Sequence, residues 1–139
     1  MNTTYTSRVR GSLLGGAIGD QLGSGIEFEP FDKISAVHGP AGVTGYVPSY
    51  GRHEGSFTDD TQMTLFVAEG LIRADNQAWK QGECDPLVPL TNAHLRWLHT
   101  QGVPAEGDDG VEAKGFGKVV SGWLIEQPVL HHQRAPGNS

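Results

Sequence analysis

The stretch from Gly23 to Phe57 restricts the fold more than any other feature, because over more than thirty residues it sustains no period of 2 or 3.6. A loop of that length is uncommon in a compact domain unless it is functional or disordered. Phe28, Phe31, Ile34, Val37, Val43, Tyr46 and Tyr50 give it enough apolar anchors to be ordered. The expectation is a lid-like or site-lining segment with a short helix at Pro30 to Val37. The whole chain shares this bias. Its 20 Gly and 8 Pro among 139 residues make about a fifth of the sequence, too much for a bundle with only short connections. Long ordered loops on a rigid scaffold follow, and such loops are where sites tend to sit.

Helical periods flank the long loop. Val9, Leu13, Leu14, Ala17 and Ile18 predict a helix over residues 7–20, with Thr6 or Ser7 as its cap. Gly11, Gly15 and Gly19 lie four apart on one side of it, and each costs ~1 kcal/mol relative to Ala. Close packing against another helix or a loop would offset that cost. A second helix starts near Asp60 with an apolar stripe of Met63, Phe66, Val67, Gly70 and Leu71. Thr58 and Asp59 offer cap chemistry, with Gln62 three residues after Asp59 as in a capping box. Asp75 and Asn76, then Gly82, Pro86 and Pro89, mark its exit. A third helix spans roughly residues 91–101, with Leu95, Trp97 and Leu98 facing inward and Gly102 as its stop. Residues 103–113 read as polar loop. A last helix starts after Gly117, holds Val119, Val120, Trp123 and Leu124, and ends before Pro128. There are no repeats and no alternating strand, so the class is all-α with long loops, one domain over residues 1–139. The closing Arg134-Ala135-Pro136-Gly137-Asn138-Ser139 reads as a turn into a helix N-cap and so as a break inside a domain.

Charge and cysteine content narrow the setting. Ten Lys+Arg against 16 Asp+Glu give a net charge of -6, which disfavours a basic face for nucleic acid or anionic lipid. Cys84 stands alone, no run of ~18 apolar residues exists, and the N-terminus lacks a basic-then-apolar signal. A soluble cytoplasmic protein, with no nucleic-acid or membrane partner, is the expectation.

Thr58-Asp59-Asp60 is the densest cluster of hard oxygen ligands, at a helix start directly after the long loop. Two carboxylates and a hydroxyl suit Mg²⁺ or Mn²⁺ better than zinc. The alternative is that these residues only cap the helix and meet its positive end. Glu27, in the apolar context Ile26-Glu27-Phe28, reads as a part-buried carboxylate with a partner or as one paired with a metal. Gly115-Phe116-Gly117-Lys118, before a helix, could let backbone N–H groups cradle a phosphate, or could be a flexible turn. It matches neither a nucleotide-hydrolase loop nor a dinucleotide fingerprint. His94 and His99, five apart, point to different faces of one helix, and His131-His132 is a pair near the chain end. Solvated histidines are the expectation there. Asp108-Asp109-Gly110 is a turn, and Cys84 reads as inert.

Taken together, Arg8-x-x-Gly11-x-x-x-Gly15-x-x-x-Gly19-Asp20-x-Leu22-Gly23, Glu27-Phe28 and Thr58-Asp59-Asp60-Thr61-Gln62-Met63 resemble the ADP-ribosylglycohydrolase family. The resemblance runs from about Arg8 through Gly115-Phe116-Gly117 to Asn138. It implies an all-α orthogonal helix bundle with two adjacent Mg²⁺ or Mn²⁺ ions, and hydrolysis of the bond between ADP-ribose and a protein side chain or other acceptor. By that resemblance Thr58, Asp59 and Asp60 are metal ligands, and Glu27 is an acidic residue near the scissile bond, with Glu27 or Asp60 assisting proton transfer. Gly115, Phe116, Gly117 and Lys118 are then the turn that holds the diphosphate. Members of the family are about twice this length and carry a D-x-D-[ST] segment near their C-terminus that has no counterpart here. The rival expectations are therefore a non-catalytic module that binds ADP-ribose or a protein, and a chain completed by a complementing chain or a second copy.

Overall fold

The computed structural model describes residues 3–49, 56–102 and 121–134. Four α-helices, α1 (Thr3–Gly23), α2 (Phe31–His38), α3 (Asp59–Gln81) and α4 (Leu87–Thr100), are followed by a 3-10 turn at Pro128–His131. No strand occurs among the described residues, and the fold is all-α. The chain divides into two compact units, residues 1–61 and 62–139. No described helix is long and apolar enough to cross a membrane.

In the first unit α1 is longer than its apolar period predicts. It begins at Thr3, so neither Thr6 nor Ser7 caps it, and it continues through all three spaced glycines to Gly23. The close packing expected at those glycines is absent from the described residues: no atom comes within 4 Å of a Cβ built at Gly11, Gly15 or Gly19. Val9, Leu14 and Ile18 are likewise exposed. The short helix in the long loop is present as α2. Pro30 precedes it in extended conformation (φ -67°, ψ 149°), a geometry its ring favours, and its carbonyl accepts the Ile34 N–H at 3.0 Å. Gly39 ends α2 at φ 73°, donating its N–H to the Ser35 carbonyl at 2.9 Å. Between α1 and α2 the chain turns tightly, with Ile26 N–H on the Gly23 carbonyl and Glu29 N–H on the Ile26 carbonyl.

In the second unit α3 runs past Asp75 and Asn76, both exposed, and stops at Gln81. With their side chains in solvent these two residues do not terminate the helix, and the stop falls to Gly82 at φ 87°. The buried face holds Gln62, Phe66, Glu69, Gly70 and Ala74, so the expected stripe is rotated: Phe66 and Gly70 are inside, but Leu71 is exposed. Gly70 lets α4 approach, since a Cβ there would stand 3.0 Å from Ala93 Cβ and 3.1 Å from the Pro89 carbonyl. Helix α4 starts before the expected Thr91, because Asp85 Oδ1 accepts the Leu87 N–H at 3.0 Å. It buries Pro89, Ala93, Arg96, Trp97 and Thr100, while Leu95 and Leu98 are half-buried, and it ends at Gly102 with φ 82°, where the sequence places the stop. Residues 121–127 form turns where a helix was expected, with Leu124 buried and Trp123 exposed. The part of that expected helix before residue 121 lies outside the described residues, as do the polar loop, the Gly115-Phe116-Gly117-Lys118 turn and residues 135–139.

The core of this unit is apolar at Phe66, Ala74, Ala93, Trp97, Leu124 and Leu130 and polar at two points. Gln62, fully buried, donates through Nε2 to the carbonyls of Leu130 (3.3 Å) and His132 (3.0 Å). Its Oε1 accepts Trp97 Nε1–H and a Gln101 Nε2–H, both at 3.1 Å, so every site on the amide is used. Glu69 is equally enclosed and accepts from Arg96 Nε at 3.0 Å and from Arg73 Nη2 at 2.9 Å. Burial pushes the Arg96 guanidinium below its ordinary pKa, and the nearby Glu69 charge opposes that shift.

Candidate functional site

Asp20 and Thr58 organise the start of α3. Thr58, buried, is the residue before the first helical turn, and its Oγ1 accepts the Asp60 N–H at 3.2 Å, as a helix N-cap does. The Thr58 hydroxyl in turn donates to Asp20 Oδ1 at 2.7 Å. Asp20 Oδ2 accepts the N–H of Thr58 at 2.8 Å, the N–H of Thr61 at 3.3 Å and the Thr61 hydroxyl. One half-buried carboxylate at the end of α1 thus meets four donors at the positive end of α3, a charge-assisted arrangement. The capping box expected around Asp59 and Gln62 is replaced by this long-range cap. Asp59 is already helical, and Gln62 commits its amide to the core.

This arrangement bears on the oxygen donors. Thr58 has one proton and gives it to Asp20, so its oxygen is left as an acceptor, and it takes the Asp60 N–H at 3.2 Å. Asp59 is half-buried and Asp60 exposed, in the first turn of the same helix. A hydroxyl and two carboxylates fit Mg²⁺ or Mn²⁺, ions that are commonly held by one or two carboxylates plus water and substrate oxygens. Among the described residues no group of three or more His, Cys, Asp or Glu is placed to hold a metal ion.

Glu27 lies in the turn between α1 and α2 and is exposed, where part-burial was expected from its apolar neighbours. It helps to wall a small open cavity of about 150 Å³ with Ser24, Gly25, Phe28, Glu29, Pro48 and Ser49. Ser24 Oγ is directed at the carbonyls of Ser56 (3.1 Å) and Gln21 (3.3 Å), which ties this turn to the approach of α3 within the unit. A Cβ at Gly25 would overlap Val47 Cγ2, so only glycine lets the two walls meet.

The remaining polar candidates are local. His94 Nδ1 lies 3.0 Å from the Leu90 carbonyl, and the His99 and His131 rings meet edge to face at 6.4 Å. Cys84 is a free thiol that points to the Asp85 carbonyl at 3.4 Å. The residue that sequence reasoning gave no role is Asp20. Its signal is a Gly-Asp pair closing a glycine-spaced helix, an acid with no local cap to make.

The ADP-ribosylglycohydrolase family model matches residues 1–137 of the 139. The chain belongs to the ADP-ribosylglycohydrolase family. Two curated proteins named ADP-ribosylarginine hydrolase Tri1 are similar to it. The one from Pseudomonas putida (strain GB-1) is 30% identical over 125 residues, covering 86% of this chain and 29% of the relative. The one from Serratia proteamaculans (strain 568) is 39% identical over 67 residues, covering 48% of this chain and 17% of the relative. The chain therefore spans less than a third of the length of these relatives. No solved structure matches it. In this ADP-ribosylglycohydrolase family chain the Asp20–Thr58 contact joins the Gly19-Asp20 and Thr58-Asp59-Asp60 segments.

Proposed function

We propose that this chain provides the metal-binding corner of a hydrolase that releases ADP-ribose from arginine side chains. The observation that supports the reading is the start of α3, held by Asp20, where Thr58, Asp59 and Asp60 follow one another. The names of the two relatives support the choice of acceptor. Thr58, Asp59 and Asp60 would hold Mg²⁺ or Mn²⁺, and the bound ions would supply positive charge for ribose hydroxyls and a water in an otherwise acidic protein. Asp20 accepts the Thr58 hydroxyl proton, which would leave the hydroxyl oxygen as the atom that an ion could meet. The bond that breaks joins the anomeric carbon of the ribose to a guanidine nitrogen. Water adds to that carbon through an oxocarbenium-like transition state, and the Glu27 or Asp60 carboxylate would take a proton from that water while the leaving guanidine nitrogen gains one, so that the proton released by the water balances the one the leaving group needs. The Gly115-Phe116-Gly117-Lys118 turn would receive the diphosphate.

The test is titration of ADP-ribose into the chain with and without Mg²⁺, alongside release of ADP-ribose from an ADP-ribosylated arginine peptide. Metal-dependent binding with release is the expected result. Binding without release would replace the hydrolase with the non-catalytic binding module. No binding under either condition would overturn both.

A further inference from the structure

We propose that the cavity walled by Ser24, Gly25, Glu27, Phe28, Glu29, Pro48 and Ser49 receives the guanidinium of the acceptor arginine, an assignment that rests on the arginine-directed reading above. Its size suits the tip of a side chain: about 150 Å³ is below the ~300 Å³ at which pockets for drug-sized ligands begin. Its walls carry two carboxylates, Glu27 and Glu29, from one short turn. Glu29 already holds a cation, the Lys33 ammonium at 2.6 Å, with both side chains open to solvent and the pair free to exchange.

The second, independent sign is Ser49. It is 2% exposed, lines the cavity, and its hydroxyl has no hydrogen-bond partner among the described residues. A buried polar group left unsatisfied is costly and rare, and calls for a ligand or water to complete it. The other serine of the wall is oriented by its own contacts, since Ser24 Oγ faces the Ser56 and Gln21 carbonyls. A planar fork of five N–H donors can serve a carboxylate and a hydroxyl oxygen together, which a point-like ammonium does less well. The exposed Phe28 ring beside the cavity offers a flat face for a guanidinium to stack on. The geometry is built in, because Gly25 brings the turn against Val47 and Pro48 where any larger residue would clash.

The experiment titrates Nα-acetyl-arginine amide into the chain and follows backbone amide resonances, with Nα-acetyl-lysine amide and Nα-acetyl-citrulline amide as the ammonium and uncharged comparisons and ADP-ribose as a separate arm. The expected result is saturable binding of the arginine probe with its largest shifts at Gly25, Phe28 and Ser49, roughly fivefold or more weaker binding of the lysine probe, and none of citrulline. Ser49→Ala and Glu29→Gln should each weaken the arginine probe by roughly three- to tenfold. Since Ser49 Oγ has no hydrogen-bond partner among the described residues, Ser49→Ala should keep its melting temperature, which separates lost binding from lost folding. Equal affinity for the lysine probe, shifts confined to other residues, or an unaffected Ser49→Ala variant would overturn the assignment. If ADP-ribose binds and the arginine probe does not, the cavity assignment falls and the hydrolase reading stands. If the arginine probe binds at these residues and ADP-ribose does not, the cavity is a guanidinium site and the hydrolase reading falls.

Discussion

The carboxylate of Asp20 and the hydroxyl of Thr58 are joined at 2.7 Å across 38 positions of sequence, and this one contact places the start of α3 on the end of α1 within the first unit. A helix N-terminus normally recruits its cap from the residue beside it; here the local cap is itself held by a distant acid.

Asp20→Ala should therefore destabilise the chain by about 2–3 kcal/mol, since four donors lose a charged acceptor. Asp20→Asn should lose less, because an amide oxygen can still accept two of the four. Urea denaturation of the three proteins checks the order, and equal midpoints would show that the cap contributes nothing.

Asp60→Asn tests the oxygen donors separately from the fold. Asp60 is exposed and its side chain is not needed by the N-cap, so stability should change by less than about 0.5 kcal/mol. Mg²⁺ affinity, read by calorimetry, should fall by roughly tenfold or more. Unchanged Mg²⁺ affinity would leave Asp60 as a capping residue only.

Glu69→Gln should be the most damaging single change in the second unit, about 3–5 kcal/mol, because Arg96 would keep a buried charge with no counter-ion. Among the described residues Arg96 Nη2 has no hydrogen-bond partner, so none of them is placed to take over. The pH dependence follows from the lowered pKa of Arg96. A base with a folded pKa below its unfolded value binds fewer protons when folded, and stability rises with pH only where that difference develops. Arginine stays charged in both states at neutral pH, so the wild-type penalty should be flat from about pH 6 to 9. A slope in that window tied to Arg96→Met would contradict it.

Gly122 is a second position where only hydrogen fits. It has φ 147°, and a Cβ there would stand 2.5 Å from Glu69 Oε1 and 2.6 Å from Arg73 Nη2. Arg73 also donates to the Ser121 carbonyl at 2.9 Å, so the turn is seated on the ion pair. Gly122→Ala should cost about 1–3 kcal/mol and lower the thermal midpoint by several degrees. A midpoint equal to wild type would mean that the turn shifts without cost.

What the sequence revealed and what it hid divide along sequence distance. Helix α2 was legible because Pro30 starts it locally, and the stop of α4 because Gly102 supplies the left-handed turn. Thr58 was legible as a cap for the same reason. Asp20 was not, since its partners lie 38 and 41 residues away. The inward face of α3 was misjudged because the stripe was sought among apolar residues, whereas Gln62 and Glu69 are inside. Their burial makes sense only with Trp97, Gln101 and Arg96 from α4 and the carbonyls of Leu130 and His132 beside them. No period in a sequence reports where a distant partner will stand. The full length of α3 was hidden for a related reason: Asp75 and Asn76 resemble a helix end, yet in solvent they leave the backbone ladder intact.

The amide of Gln62 has a direction. Its nitrogen faces two carbonyl oxygens and its oxygen faces two N–H groups. Turned end for end it would set like against like at all four contacts, and neither glutamate nor methionine, though close in shape, could satisfy both ends. The residues around it are thereby matched by polarity as well as by volume, and the segment around Leu130 can dock in one orientation only. A greasy side chain would have filled the same space and said nothing about which way round the neighbouring backbone must lie.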